Sequence, residues 1–298
     1  LLFLTITILS AQPSSATLDQ ARGLMQRFIH HSHIPGAAVT VAVDGQIVWS
    51  EGFGYADLEQ QVPVDPARTR FRIGSVSKPL TAAALGVLYE EGKIDLDAPI
   101  QTYVPHFPQK RWPVTLRQLA GHLAGIRHYR DGEWLNGDRY DSVSEGLAIF
   151  AADTLLFEPG ARYAYSSYAW NLISAAIEGA SGKDFLTYMD ETVFAPLRMD
   201  HTTADQVDRL IGYRTRFYTR REDQTVNAPY VDNSYKWAGG GFLSTTEDLA
   251  RFGSAHLPGG LLSDETLKTW TASQRSSNGQ RTGYGIGWAL EECGHGHQ

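Results

Sequence analysis

Cysteine is nearly missing from this chain. Cys293 stands alone among 298 residues, so no disulfide can close within the chain, and metal sites built from cysteine pairs are excluded. Runs of lysine or arginine are also missing, and the net charge is −7. That balance argues against nucleic acid as a partner. No His-Glu-x-x-His occurs, and the dense group His30, His31 and His33 reads as a solvated helix end rather than a metal site. The apolar run 1–11 is too short to cross a bilayer, so no stable membrane span is expected. Internal repeats and low-complexity linkers are absent as well.

The composition is 42% hydrophobic and 20% charged, enough for a large core in one two-lobed domain or in two domains. Within residues 1–11 the apolar stretch closes on Ser10-Ala11 and is followed by Gln12-Pro13, like the end of a secretory signal peptide. The alternative is a buried strand. Arginine first occurs at Arg22, which argues against a mitochondrial presequence. The expectation is an exported protein, periplasmic or secreted.

The chain is organised around Phe71-Arg72-Ile73-Gly74-Ser75-Val76-Ser77-Lys78-Pro79. A helical pattern follows through Leu80, Ala83, Ala84, Val87 and Leu88, with Gly92 as its stop signal. If Ser75 opens this helix, Ser75 and Lys78 share one face. Outward-pointing backbone N–H groups and the positive end of the helix dipole then favour a hydroxyl that must become an alkoxide. Lys78, in a poorly hydrated site, can serve as a base or as a fixed positive charge. By itself Ser-x-x-Lys is a frequent chance match, and Ser75 as a helix cap beside a solvated Lys78 is the simpler alternative.

Ahead of this motif, Thr17-Leu18-Asp19-Gln20 reads as a capping box opening an amphipathic helix through Leu24, Phe28 and Ile29. Gly36–Val43 reads as a strand, Asp44-Gly45 as a hairpin turn and Gln46–Ser50 as the returning strand. From about 80 to 203 the pattern is mostly helical, with helix starts at Thr115 and Ser142. His122, in Gly121-His122-Leu123-Ala124-Gly125, is either a base or, more commonly for such a turn, a tie between backbone segments. Tyr165 stands on the loop after Pro159-Gly160 and before a helix running to Gly182, where a phenol can be aimed into a cleft. Free tyrosine titrates near 10, and a neighbouring Lys78 ammonium would favour its phenolate as a base for Ser75. Tyr213 to Tyr218 and Tyr284 to Leu290 alternate like strands. Gly239-Gly240-Gly241 signals close backbone approach or unusual dihedrals. Thr245 or Ser244, and then Ser263, read as helix caps.

Taken together, the Ser75/Lys78 pair, the Tyr165 segment, Gly121–Ile126, Ala238-Gly239-Gly240 and Tyr284–Trp288 resemble the serine β-lactamase-related hydrolases. This group includes class C β-lactamases, D-Ala-D-Ala carboxypeptidases and esterases, and Ser-x-x-Lys is a motif known for such enzymes. The stretches Ile126–Tyr129 and Pro229–Thr245 are most similar to its mitochondrial serine β-lactamase-like branch. The resemblance implies an α+β fold in residues 17–298: an antiparallel β-sheet flanked by helices (about 17–74 and 227–298) plus an all-helical lobe (about 75–210). It implies acyl-enzyme hydrolysis of a peptide or ester bond, with Ser75 as nucleophile and Lys78 and Tyr165 moving its proton, and no cofactor. Two departures follow. The family's Tyr-x-Asn is here Tyr165-Ser166-Ser167, which lacks the amide that contacts β-lactam side chains and favours peptidase or esterase activity. The third motif, His/Lys-x-Gly, would open at His297, one residue before the chain ends, so the domain is expected to be incomplete at its C-terminus. Arg281-Thr282-Gly283 is a rival match that reads as a turn. The functional rivals are a β-lactam hydrolase and, from another class, a non-catalytic penicillin-binding or assembly protein on the same scaffold. The resemblance leaves the oligomeric state open.

Overall fold

The computed structural model describes residues 13–291. The signal-like run 1–11, Cys293 and His297 lie outside the described residues. The fold mixes small antiparallel sheets with helices, as expected. Helix α1 (Ser15–Ser32) opens three residues earlier than the capping box suggested, because Ser14 and not Thr17 is the cap, its hydroxyl accepting the Thr17 N–H. The His30/His31/His33 group is its exposed end, with His33 in the left-handed region at φ 51°. Leu24 and Phe28 on its apolar stripe stay exposed.

Strands β1 (Gly36–Val43) and β2 (Gln46–Asp57) form the hairpin read from Asp44-Gly45, and β3 (Val62–Pro63) adds to β2. Both turn residues have positive φ, 49° and 77°, as a two-residue turn matched to strand twist requires. A second sheet has the order β4 (Phe71–Arg72), β8 (Phe242–Ser244), β5 (Thr203–Ala204). Phe71 pairs with Ser244 and Arg72 with Leu243, so the chain entering Ser75 lies beside the chain leaving the glycine run. Asp205, fully buried, ties this region together. It accepts from Arg72 Nε at 2.6 Å, Arg214 at 3.1 Å and Asn233 at 2.8 Å. A buried carboxylate is tolerated only with partners of this kind.

The core lies between α2 (Ser77–Glu90) and α5 (Ser167–Ser181), and α3 (Leu116–Ala120), α4 (Val143–Leu147) and α6 (Phe185–Met189) cover it. Thr115 caps α3 in a complete capping box with Gln118, and Gly182 ends α5 with φ 69°. Thr245 caps α8 (Thr246–Ser254) and Ser263 caps α9 (Asp264–Trp270). No helix among the described residues is long and apolar enough to cross a membrane.

Two expected strands fold otherwise. The alternation at Tyr213 to Tyr218 only leads into the hairpin β6 (Tyr218–Arg221) and β7 (Gln224–Asn227). Tyr213 itself has φ 58°, which breaks an extended run. The Tyr284 to Leu290 stretch is a turn, closed by the Gly285 N–H on Trp288 O at 2.8 Å. Gly287, at φ 83°, lies so close to α2 that an added Cβ would meet Ala82 Cβ at 2.7 Å. Arg281-Thr282-Gly283, read as a turn, instead pairs back on the preceding segment: Arg281 forms an antiparallel bridge with Arg275, the Thr282 N–H donates to Gln274 O at 3.0 Å, and Gly283 takes φ 69°.

Gly179 on α5 tests the packing. Helix propensity alone predicts that Gly179→Ala stabilises by up to ~1 kcal/mol. A Cβ there would sit 1.9 Å from Tyr103 O, and overpacking of this kind costs about 1–3 kcal/mol. The expected result is a melting temperature lowered by a few degrees in calorimetry; a rise would show that the α5 contact with Tyr103 is loose.

Candidate active site

Ser75 lies in a 3-10 turn (Gly74–Val76) just before α2, not in the α-helix itself. Gly74 takes φ 52° there, the left-handed region open to glycine. The turn keeps Ser75 exposed while Ser77 and Lys78 point inward. Lys78 is 1% exposed. Its Nζ donates to Ser75 Oγ at 3.1 Å, Ser167 Oγ at 3.2 Å and Gly239 O at 2.5 Å. Burial pushes its pKa down to about 7, because desolvation disfavours the charged amine. A large share of Lys78 is therefore neutral near pH 7.

Tyr165 reaches the same hydroxyl, its OH donating to Ser75 Oγ at 2.8 Å. Its ring lies over Lys78, with Nζ 4.9 Å from the centroid. The structure thus brings together Ser75, Lys78, Tyr165 and Ser167. Ser167, the first residue of α5, is buried and directs its hydroxyl at Lys78. His297 lies outside the described residues.

His122 takes the backbone role. Its Nδ1 accepts the Ser166 N–H at 3.1 Å, and its carbonyl accepts the Ala164 N–H at 2.8 Å. The two bonds bracket Tyr165. Burial, helped by the positive charge of Lys78 and by His128, pushes the His122 pKa down to about 3. The ring is therefore neutral, and with Nδ1 accepting, its proton sits on Nε2. The imidazole also packs against the Tyr165 ring with centroids 4.3 Å apart.

Sequence reasoning passed over three contributors. His128 Nδ1 accepts the Ser167 N–H at 3.2 Å, and its pKa is lowered by burial and by Lys78. The Gly239 carbonyl holds the Lys78 ammonium; the three glycines signalled close approach but not an acceptor. A Cβ on Gly239 would lie 3.0 Å from Ser167 O, so the small residue lets this carbonyl in. Arg127 supports the loop. It is paired with Glu133 at 2.6 Å and Asp153 at 2.5 Å, and its carbonyl accepts from Ser166 Oγ at 2.7 Å. Only its place in Ile126–Tyr129 marked it.

A profile of the β-lactamase family matches residues 21–298. The chain belongs to that family. The human mitochondrial serine β-lactamase-like protein LACTB is 37% identical over 312 residues, covering 81% of this chain and 57% of the human protein. The chain thus spans little more than half the length of that curated relative. Among solved structures, it is similar to the octameric penicillin-binding protein homologue from Pyrococcus abyssi. That similarity has a TM-score of 0.76 at 25% identity, over 91% of this chain and 64% of the other. It is also similar to a D-stereospecific amidohydrolase from Streptomyces, with a TM-score of 0.73 at 26% identity, over 92% of this chain and 82% of the other.

Tyr165→Phe keeps the ring packed on His122 and removes only the hydroxyl bonded to Ser75. Loss of a positioned proton carrier lowers rates by roughly 10²–10⁴. We expect the rate of covalent labelling by a fluorophosphonate to fall within that range, with the melting temperature within a degree or two of the parent. Labelling at the parental rate would remove Tyr165 from the proton path.

Proposed function

We propose that this β-lactamase-family chain is a serine hydrolase that cleaves an amide or ester bond through an acyl-enzyme on Ser75. The observation that carries this reading is the convergence of Lys78 Nζ and Tyr165 OH on Ser75 Oγ, at 3.1 and 2.8 Å. A hydroxyl touched by two proton carriers, one of them a lysine titrating at about 7, is arranged as a nucleophile. In the proposed sequence, neutral Lys78 takes the Ser75 proton, directly or through Tyr165. Ser75 Oγ bonds to the carbonyl carbon, and the oxyanion is met by the Ser75 backbone N–H. The proton is then delivered to the leaving amine or alcohol as its bond to carbon breaks. Water repeats the sequence on the acyl-enzyme, releasing the acid and restoring Ser75.

Ser167 favours simple esters and peptides over β-lactams. Its single hydroxyl is buried against Lys78, so it lacks an amide to present to a β-lactam side chain. A non-catalytic role on the same scaffold has less support, because an assembly function needs no lysine desolvated beside a serine. The apolar run 1–11 supports export to the periplasm or medium. Fractionation of cells expressing the gene tests this, and recovery only in the cytoplasm would refute it.

Mass spectrometry after exposure to a fluorophosphonate should show one adduct, on Ser75, and none in Ser75→Ala. An undiminished adduct in that variant would refute the assignment. A p-nitrophenyl ester should turn over faster than nitrocefin; the reverse order would make the chain a β-lactam hydrolase.

The pH dependence separates the two roles open to Lys78. The amine is neutral above its lowered pKa and protonated below it. If Lys78 is the base, the labelling rate rises with pH through about 7 and falls about tenfold per unit below it. A rate that instead declines through that region would make Lys78 a fixed positive charge serving Tyr165.

A further inference from the structure

His128 has an inner edge that holds the site together and an outer edge that the proposed chemistry does not use. Its Nδ1 accepts the Ser167 N–H at 3.2 Å. That nitrogen carries no proton, so the proton of the neutral ring sits on Nε2. Burial of the inner edge, helped by the positive charge of Lys78, lowers the pKa and keeps the ring in this form. The two nitrogens of an imidazole point in nearly opposite directions. With Nδ1 directed at the start of α5, the Nε2–H is directed away from it, and the residue as a whole is exposed.

The ring is also held by its neighbours. It lies over Tyr129, with centroids 4.4 Å apart and planes 33° from parallel, and it meets Tyr165 edge-on at 5.5 Å. Tyr165 is the residue whose hydroxyl touches Ser75 Oγ. Among the described residues no acceptor takes the Nε2 proton of His128. His122 is the contrast. It has the same tautomer, but it is 1% exposed, and its Nε2 is buried among the Tyr163, Tyr165 and Tyr284 rings. Ser167 is buried against Lys78, which leaves the donor role at this edge of the site to His128. A donor fixed in direction beside the nucleophile, and unspent within the protein, loses little freedom when a substrate oxygen meets it.

We propose that His128 is a specificity-determining residue whose Nε2–H donates to a second carbonyl oxygen of the substrate, a few bonds from the scissile one. A single neutral N–H suits a neutral carbonyl oxygen. The inference rests on the hydrolase reading and adds to it the substrate class: esters or amides that carry a further carbonyl on the acyl chain or on the leaving group.

Two pairs of esters of matched length test it. On the acyl side, the p-nitrophenyl ester of N-acetylglycine is set against p-nitrophenyl pentanoate. On the leaving side, the acetate ester of N-methylglycolamide is set against butyl acetate. Each kcat/KM is divided by the rate of the same ester with hydroxide, which removes differences in electrophilicity. The expected result is a preference of about tenfold for the carbonyl-bearing member of one pair, the scale of one well-placed hydrogen bond, and that pair locates the acceptor. His128→Asn puts an amide oxygen near the place of Nδ1, so the Ser167 N–H keeps an acceptor, but nothing reaches as far as Nε2. The preference should be lost in this variant. It is a ratio within one protein, so general damage to the site cancels from it. Equal treatment of both members of both pairs by the unaltered chain would overturn the proposal, whether or not the variant folds. So would a preference that survives in His128→Asn. No turnover of any of the four esters would also overturn it, and a missing fluorophosphonate adduct on Ser75 would then show that the hydrolase reading itself had failed.

Discussion

The burial of one ammonium group governs this architecture. Lys78 is 1% exposed, and a lysine stripped of water must find acceptors or release its proton. Both occur here. Ser75 Oγ, Ser167 Oγ and Gly239 O surround Nζ, while desolvation brings its pKa down to about 7. Each acceptor comes from a different part of the chain. Ser75 comes from the turn before α2, Ser167 from the first turn of α5, and Gly239 from the short helix α7 (Trp237–Gly240) before β8. Moving any of these three would leave either the amine or its acceptor unsatisfied in the interior.

The surroundings follow from that requirement. The Tyr165 loop is held by backbone bonds to His122 on one side and His128 on the other, so the phenol meets Ser75 without relying on its own flexibility. Both histidines stay largely neutral because they are buried near Lys78, which suits them to accept N–H groups there. Behind His128, buried Arg127 is balanced by Glu133 and Asp153. On the other flank, Asp205 fastens Arg72, two residues before Gly74, to Arg214 and Asn233. Two ion networks, each built on one buried charge with partly exposed partners, thus brace the two sides of the nucleophile. Removing one partner from such a network is far more disruptive than removing a surface pair.

The 232–242 segment serves two regions at once. Gly239 faces Lys78, whereas Asp232, Trp237 and Phe242 lie on the side of α6 and β5. Phe242 also donates its N–H to Ser77 Oγ at 3.3 Å. Its glycines allow the close approach. A Cβ at Gly241 would meet Trp237 at 2.8 Å, so the chain can double back within a few residues and expose different faces to the two regions.

Local signals were readable without coordinates wherever one residue's chemistry decided the outcome. Asp44-Gly45 demanded a left-handed turn, Thr115 and Ser263 offered capping oxygens, and Gly182 ended α5. The Ser75/Lys78 spacing put two reactive groups on one turn, and the resemblance brought Tyr165 to them from 90 residues away in sequence, the 2.8 Å contact being the structure's own. Other features depended on distant parts of the chain. Tyr284 to Leu290 alternates like a strand, yet close packing against Ala82 and Trp270 makes it a turn, and alternation carries no information about what lies opposite. Neither the Gly239 carbonyl nor the histidine nitrogens that accept Ser166 and Ser167 N–H groups leave a mark in residue type. A hydrogen bond between distant segments exists only once the core has set their separation. The sequence by itself determined which groups are available for acyl transfer. The tertiary structure decided that Lys78 would be dry enough to lose its proton, because desolvation is a property of everything packed around it.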